Sequence, residues 1–499
     1  MNSDEILSIF KRRGVLWPTA EIYGGAQGLY DYGPMGSALK RRLEDAWEAW
    51  FVGLSQNYHR IDAVEMLPEA VVRASGHLDH FADPLVTCGN CGTVIRADEL
   101  LEAKGQKDAE ALKGDELAAR LEQLHPPCPR CGKGPLGPPR AFNLMFGMEF
   151  GALGKEKAYL RPETAQSSYL AFSRMWNIGR KKLPMGIAVI GKAFRNEIAP
   201  RQTLFRMRVF TQAELQIFFD PEDYPSEWKA FGEISVPILF AEKRLAGAVR
   251  PEEVSLREVV EKGYLPPFYA FHMAHTYRFF RDVLGYPAER IRFLEKNERE
   301  RAFYNRIQFD VEAELVSLGG FKEVGAIHYR GDYDLTKHSE GSKTDLSVTT
   351  EGGKHLTPHV LELTFGVDRN VWALSDIHLR KDGERLVWSL PSYLAPVTVG
   401  VLPLIPKEHG VLAQELADAL RSAGVSVTLD ESGSVGRRYA RLDEMGTPLA
   451  VTIDGQSKQD RTFTIRERET KEQRRVGETE LLPLATKPAV PPWGCLAFR

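Results

Sequence analysis

The chain has 499 residues, of which 43% are apolar and 27% are charged, so it can bury large cores and is expected to form about two to four domains. A single small binding module is therefore excluded. Lys and Arg total 65 against 68 Asp and Glu, and the resulting net charge of −3 argues against a protein that coats nucleic acid indiscriminately. Any site for a polyanion must be local.

The N-terminal segment does not have the charge order of a secretory signal, because Asp4 and Glu5 precede its short apolar stretch and Lys11 follows it. No uncharged apolar run has the length needed to cross a bilayer. Only five cysteines occur, and four of them form two Cys-x-x-Cys pairs, which argues against a disulfide framework. We expect a cytoplasmic protein that does not span a membrane.

The first strong helical pattern covers residues 37 to 54, where apolar side chains recur on one stripe. A broad stripe that includes tryptophan is typical either of core packing or of a subunit interface, and the pattern leaves both open. The members of the stripe are Leu39, Leu43, Ala46, Trp47, Trp50, Phe51 and Leu54.

Residues 86–139 differ in composition from their surroundings and are interpreted as an inserted small domain. Cys88 and Cys91 form one knuckle, Cys128 and Cys131 form a second, and a glycine follows each knuckle. Four thiolates at this spacing predict a tetrahedral, structural zinc site. Two unrelated pairs of buried cysteines are the alternative, and His125 is a minor alternative ligand.

A strongly basic segment lies between Ala171 and Phe210, with a single acid, Glu197. Such a run is usually a solvated face, but here apolar strands are predicted on both sides, at residues 185–190 and 215–219, so the cations can converge on a sheet. Arg195 and Phe210 on returning strands would supply a guanidinium for a phosphate and a ring for a base. The basic residues are Arg174, Arg180, Lys181, Lys182, Lys192, Arg195, Arg201, Arg206 and Arg208.

Two further regions complete the chain. Residues 221–305 are largely polar and are predicted to be a helical insertion within the larger domain, residues 1–85 and 140–395. After a linker between Pro391 and Pro396, alternating strand and helix patterns predict a compact α/β domain over residues 397–499.

Several long segments resemble the class II aminoacyl-tRNA synthetases, and among them the dimeric glycyl-tRNA synthetases. Arg195-Asn196-Glu197 with the following residues 206–210 and Glu214 resembles motif 2 of that class, and Gly366-Val367-Asp368-Arg369 resembles motif 3. More specific similarity lies in residues 73–77, 142–146, 159–166 and 436–454. Motif 1 is placed only by its order, as a helix from Ser37 and a strand ending near Pro68.

The resemblance implies an α+β catalytic domain with an antiparallel sheet flanked by helices, a zinc insertion and a C-terminal anticodon-binding domain. It implies a homodimer that joins glycine to ATP with Mg²⁺ and then to tRNA(Gly). The residues implied for catalysis are Arg195, Glu197 and Arg369. Those implied for ATP are Arg195, Asn196, Glu197, Phe205, Arg206, Phe210, Glu323, Val324, Gly366 and Arg369. Those implied for glycine are Arg73, Glu163, Gln212, Glu214, Arg330, Glu362 and Thr364.

Two features qualify this interpretation. The chain has Glu362-Leu363-Thr364 where the family usually has Glu-Pro-Ser, so the wall of the pocket is expected to differ. In the C-terminal domain, Arg437, Arg438 and Arg441 lie at helical spacing and suit anticodon contacts, with a solvated helix face as the alternative. A synthetase for another small amino acid and a catalytically inactive accessory subunit that binds nucleic acid are the competing functions.

Overall fold

The computed structural model describes residues 1–486, except residues 107, 108, 110, 111, 199, 201 and 232. Arg201 of the basic segment and the last thirteen positions of the expected C-terminal domain, 487–499, lie outside the described residues. Within the part that is described, no helix has both the length and the apolar character needed to cross a membrane.

A nine-stranded sheet forms the centre of the larger domain. Neighbouring strands are antiparallel except at two places, where Tyr58–Ile61 runs parallel to Met185–Phe194 and Ser235–Leu239 runs parallel to Ile291–Glu295. The expected antiparallel sheet is therefore confirmed. In spatial order the strands are Glu252–Ser255, Ser235–Leu239, Ile291–Glu295, Ile307–Leu315, Gly320–Gly331, His359–Gly366, Val209–Phe219, Met185–Phe194 and Tyr58–Ile61.

Helices and small sheets pack around this central sheet. The helices are Ser3–Arg13, Pro34–Phe51, Glu69–Ala74, His77–His80, Ala165–Ile178, Ala241–Leu245, Leu256–Glu261, Pro267–Arg278, Tyr333–Ser342 and Val367–His378. The smaller sheets pair Leu16–Pro18 with Tyr30–Tyr32, Val348–Thr349 with His355–Leu356, and Leu379–Asp382 with Arg385–Trp388, and join Met66–Pro68, Glu156–Leu160 and Gly147–Phe150.

The amphipathic helix Pro34–Phe51 buries its stripe inside the chain. Leu39, Leu43, Trp47 and Phe51 are at most 2% exposed and belong to the main core, which also contains the inner face of the central sheet. The sequence left open whether the stripe packs in the core or forms a subunit interface. For these four residues the answer is core packing.

The region predicted to be a helical insertion, residues 221–305, contains both helices and strands. Its helices are Ala241–Leu245, Leu256–Glu261 and Pro267–Arg278, and three other segments are strands that extend the central sheet. These strands are only four or five residues long and lie among charged residues, so their period-two pattern is too short to be recognised in the sequence.

The segment predicted as an insertion, residues 86–139, forms a separate small core. A three-stranded sheet orders Val94–Arg96, Ala82–Thr87 and Arg140–Asn143, so its ends extend a few residues beyond the expected range 86–139. Helices Ala97–Glu102 and Gly114–Leu124 cover it with buried leucines.

The C-terminal region has its own five-stranded sheet and core, as the α/β prediction requires. Its order is Val427–Leu429, Val399–Pro403, Leu449–Ile453, Thr462–Glu467 and Gln473–Gly477, with parallel pairing among the first three. The helices are Pro406–Ser422, Val435–Glu444, Gly455–Asp460 and Glu478–Thr486.

Candidate active site

The candidate site is built by side chains that alternate along adjacent central strands. On Val209–Phe219, Ala213 and Leu215 pack in the core, so Gln212, Glu214 and Gln216 occupy the opposite face. In the register of the sheet, Glu214 lies opposite Thr364, and Gln216 lies opposite Glu362. The strand pairing therefore brings together polar groups that are far apart in the sequence.

The three acids implied for glycine binding form a buried cluster around one arginine. Glu163, Glu214 and Glu362 are 8%, 2% and 4% exposed. Arg330 lies 2.8 Å from Glu362 and 3.7 Å from Glu163, measured between charged atoms. Two further hydrogen bonds, of 2.7 and 2.8 Å, join its guanidinium to Asp334.

This arrangement corrects the role implied for Arg330. The side chain is fully buried, and its guanidinium binds acids of the protein, so its role is to neutralise the acid cluster. Arg73 is not brought into the cluster at all. Its side chain is 62% exposed and pairs with Glu69 on the same helical turn.

The acids of the cluster have opposite pKa shifts. Burial, reinforced by the negative charges of Glu362 and Glu163, raises the pKa of Glu214 to about 8. Burial also opposes ionisation of Glu163, but His77 and Arg330 outweigh it and hold the pKa of Glu163 well below its ordinary value. At neutral pH the cluster therefore contains a neutral and an ionised carboxyl group side by side.

The acid cluster has supporting residues that the sequence analysis missed. His77 Nε2 lies 3.5 Å from Glu163 Oε1, and Ser75 Oγ lies 2.8 Å from His77 Nδ1. Gln166 donates to Glu163 at 2.9 Å, and Thr164 donates to Glu214 at 2.7 Å. All four belong to segments that carry the family resemblance, and this resemblance is the sequence feature that could have indicated them.

A second part of the site is a cavity of about 410 Å³ at the same end of the strands. Arg195 packs its guanidinium 5.2 Å from the centre of the Phe210 ring. Arg369 lies across the cavity in an ion pair of 2.9 Å with Glu323. The lining residues include Arg96, Arg195, Glu197, Phe205, Arg206, Phe210, Gln212, Lys322, Glu323, Thr364, Gly366 and Arg369.

Two residues implied for ATP are not among the described residues that line the cavity. Val324 is buried, and its backbone oxygen accepts a hydrogen bond from Asn370 at 2.8 Å. Asn196 follows the end of its strand, where its backbone N–H donates to Leu144 at 2.7 Å. Both residues hold neighbouring backbone in place.

Asp368 joins the two walls of the cavity. Its carboxylate accepts a hydrogen bond from the backbone N–H of Thr211 at 2.5 Å, directly after Phe210. Tyr32 donates to the other oxygen at 2.6 Å. Because Asp368 precedes Arg369 at the start of helix Val367–His378, these bonds fix the separation between Phe210 and Arg369.

Arg206 is engaged by carboxylates. Its Nε donates to Glu197 at 2.7 Å, and its Nη1 pairs with Glu99, which belongs to the inserted domain. With Asp83 at 3.6 Å from Nη2, this residue implied for ATP contacts three protein acids in this structure.

The four paired cysteines converge as predicted. Their sulfur atoms all lie within 4.8 Å of one another, with Cys88 to Cys131 at 3.7 Å and Cys91 to Cys128 at 3.6 Å. Tetrahedral Zn²⁺ with four thiolates places sulfur atoms about 3.8 Å apart, so the donor set fits this metal. His125 is exposed and is not part of the group.

The three arginines suggested for anticodon contacts have different environments. Arg438 is 3% exposed and donates to the backbone oxygens of Gly433 and Pro403, so the prediction that it contacts RNA is wrong. Arg441 is held by Asp430 at 2.6 and 2.8 Å. Arg437 is exposed at the start of helix Val435–Glu444.

Comparisons with known proteins agree with this architecture. A family model described as the tRNA synthetase class II core domain (G, H, P, S and T) matches residues 149–240, and one described as an anticodon binding domain matches residues 398–487. The glycine–tRNA ligase of Aeropyrum pernix is 36% identical, over 96% of this chain and 95% of the relative. That of Thermococcus gammatolerans is 37% identical, over 96% and 97%.

A solved structure also shares the fold. Prolyl-tRNA synthetase from Cryptosporidium parvum, in complex with L-proline and AMP, superposes with a TM-score of 0.56 at 14% identity. The superposition covers 97% of this chain and 74% of that chain. At this identity the similarity concerns the fold alone.

Glu214→Gln is expected to change how stability depends on pH. In the folded chain the pKa of Glu214 rises from 4.5 to about 8, so the stability given by its neutral form is complete below pH 4.5 and is lost as the pH rises to about 8. The glutamine variant avoids this loss. Its free energy of unfolding, relative to the unmodified chain, should therefore increase by about 1 kcal/mol per pH unit over this range.

Urea denaturation at a series of pH values measures this difference. Glu384→Gln, at an exposed position, serves as the control and should leave the pH profile unchanged. Parallel profiles for Glu214→Gln and the unmodified chain would contradict the raised pKa.

Proposed function

Since the chain belongs to the glycine–tRNA ligase family of the class II aminoacyl-tRNA synthetases, it joins glycine to tRNA with ATP, and we propose that glycyl-adenylate forms where the acid cluster meets the 410 Å³ cavity. Gln212 is the residue that best supports this location. Its side-chain oxygen is buried on the wall of the cavity and has no hydrogen-bond partner within the described part of the chain. An unpaired acceptor beside three carboxyl groups suits the ammonium group of a small amino acid.

The acid cluster binds that ammonium group. Glu163, Glu214 and Glu362 supply its negative charge, while Arg330 offsets part of it and keeps the cluster stable before the ligand arrives. Glu214, neutral in the free pocket because its pKa is raised to about 8, releases its proton when the positive charge of glycine enters. Thr364 donates to Glu362 at 2.8 Å and so orients this carboxylate.

The cavity binds ATP. Arg195 contacts the α-phosphate, and the adenine ring lies between Phe210 and Arg369. The carboxylate of glycine then attacks the α-phosphorus in line, and pyrophosphate leaves. No nucleophile or general base of the protein is needed, because positioning and neutralisation of charge lower the barrier.

Magnesium is the cation that such a site uses, and the oxygen donors of the cavity fit it. Glu323 presents a carboxylate on the cavity wall and would hold the ion together with phosphate oxygens of ATP. When bound, the ion neutralises charge that develops on the phosphates.

The cysteine cluster holds one Zn²⁺. The ion is structural and not catalytic, because four thiolates fill its tetrahedral coordination and leave no open position for chemistry. The metal joins the two ends of the inserted segment and so determines its fold. Thiolate ligands require reducing conditions, which agrees with a cytoplasmic location.

The C-terminal domain contacts the anticodon of tRNA(Gly). Of the three arginines suggested for this contact, Arg437 is exposed, whereas Arg438 and Arg441 bind groups of the protein.

We propose that the chain forms a homodimer, as the resemblance implies. An inactive accessory subunit is disfavoured, because Arg195, Glu197 and Arg369 are all present on the cavity wall.

Arg195→Ala tests the proposed activation site. Loss of a guanidinium that binds the α-phosphate in the transition state should lower glycine-dependent ATP–pyrophosphate exchange by about a hundredfold or more. Arg174→Ala, at an exposed position of the same basic segment, is the matched control and should exchange normally. Near-normal exchange by Arg195→Ala would refute the assignment.

Removal of two thiolates tests the metal site. The unmodified chain should contain one zinc ion, and the double variant Cys88→Ser with Cys131→Ser should contain none, because two remaining thiolates cannot hold the ion tightly. Metal analysis by mass spectrometry gives the stoichiometry. Cys495→Ser, outside both pairs, is the control, and unchanged zinc in the double variant would exclude this ligand set.

A further inference from the structure

Arg96 belongs to the inserted domain, yet it lies on the wall of the ATP cavity. It ends the strand Val94–Arg96, and its side chain lines the cavity together with Arg195, Arg206, Lys322 and Arg369. Arg96 belongs to neither motif 2 nor motif 3, so the family motifs do not assign it a role in this cavity.

The inserted domain and motif 2 meet at a shared set of carboxylates, which we call the rim acids: Asp83, Asp98 and Glu99. Arg96 donates to Asp98 through two nitrogens, with Nε at 3.0 Å, and to Asp83 through Nη1 at 2.9 Å. Arg206 pairs with Glu99, and its Nη2 lies 3.6 Å from the same oxygen of Asp83. Two guanidinium groups are therefore held next to each other at the mouth of the cavity.

Arg96 keeps capacity for a ligand. A guanidinium has five N–H donors, and the rim acids engage three of those of Arg96 within the described residues. The side chain is 20% exposed and lines the cavity, so it is accessible to a ligand there. The planar fork of arginine suits phosphate oxygens better than a lysine would.

The charge of ATP requires more cations than motifs 2 and 3 leave free. Arg369 is paired with Glu323, Arg206 with Glu197 and Glu99, and Arg96 with Asp98 and Asp83, so three of the five cations on the wall already have anionic partners. A triphosphate that approaches Arg206 also comes within reach of Arg96, because both arginines contact Asp83. Its phosphate oxygens can replace the rim acids on both groups.

We propose that the zinc insertion supplies Arg96 as an additional residue that binds the β- and γ-phosphates of ATP, next to Arg206. The inference rests on the proposed function, since it assumes that ATP occupies this cavity. It gives the insertion a role in substrate binding, because the fold of the insertion positions Arg96.

Binding of ATP and of AMP to the zinc-loaded full chain tests this role. Arg96→Ala should weaken Mg²⁺–ATP binding about tenfold in calorimetry and leave AMP binding unchanged, because AMP lacks the β- and γ-phosphates. Arg120→Ala is the control, since that arginine of the same insertion is held by Gln106 and Gln123 and should affect neither ligand. Equal weakening of ATP and AMP would overturn the proposal.

A charge-balanced variant separates direct contact from neutralisation of the rim acids. Arg96→Ala combined with Asp98→Asn removes one charge of each sign, so a phosphate contact predicts that the ATP defect persists. Recovery of ATP affinity in this double variant would overturn the proposal, because Arg96 would then only offset Asp98.

Two further measurements keep the outcome decisive. If Arg96→Ala loses zinc or unfolds, Arg96→Lys takes its place. A loss of affinity confined to ATP then supports the proposal, and unchanged ATP affinity overturns it. Absence of glycine-dependent exchange in the unmodified chain would refute the proposed function itself, whereas normal exchange with no ATP-specific defect would refute only the role of Arg96.

Discussion

The register of three adjacent strands is the constraint on which the site depends. Val209–Phe219, His359–Gly366 and Gly320–Gly331 each turn apolar side chains to the main core and polar ones to the opposite face. The pairing of Glu214 with Thr364 and of Glu362 with His328 follows from that register. A slip of one residue would bury the carboxyl groups in the core and expose the leucines, so stability and function require the same alignment.

The acid cluster shows how the fold stabilises several carboxyl groups in a closed pocket. Arg330 is buried among them and also packs 3.7 Å from the centre of the Tyr304 ring, so its charge is compensated and its position fixed. One carboxyl group remains neutral because its pKa is raised to about 8. The neutral carboxyl group reduces charge repulsion in the closed pocket, and the ammonium group of the proposed ligand would favour its ionisation.

Patterns that depend on neighbouring residues were predictable from the sequence. The helix Pro34–Phe51, the strands on both sides of Arg195 and the convergence of the four cysteines are local features or duplicated motifs. Partners that come from distant segments were not. Arg73 and Arg330 were both implied for glycine binding, and only the folded chain reveals that one pairs with Glu69 and the other with Glu362. Arg438 likewise meets a backbone oxygen, that of Pro403, which no helical periodicity indicates.

We propose that this face of the sheet forms a pocket for the smallest amino acid. Amino-acid-dependent ATP–pyrophosphate exchange, measured with glycine, alanine, serine and proline at equal concentrations, tests this proposal. Exchange should be rapid with glycine and slow or absent with the others, because a pocket closed around an ammonium group needs only to exclude a side chain. Exchange with alanine or proline as fast as with glycine would contradict it.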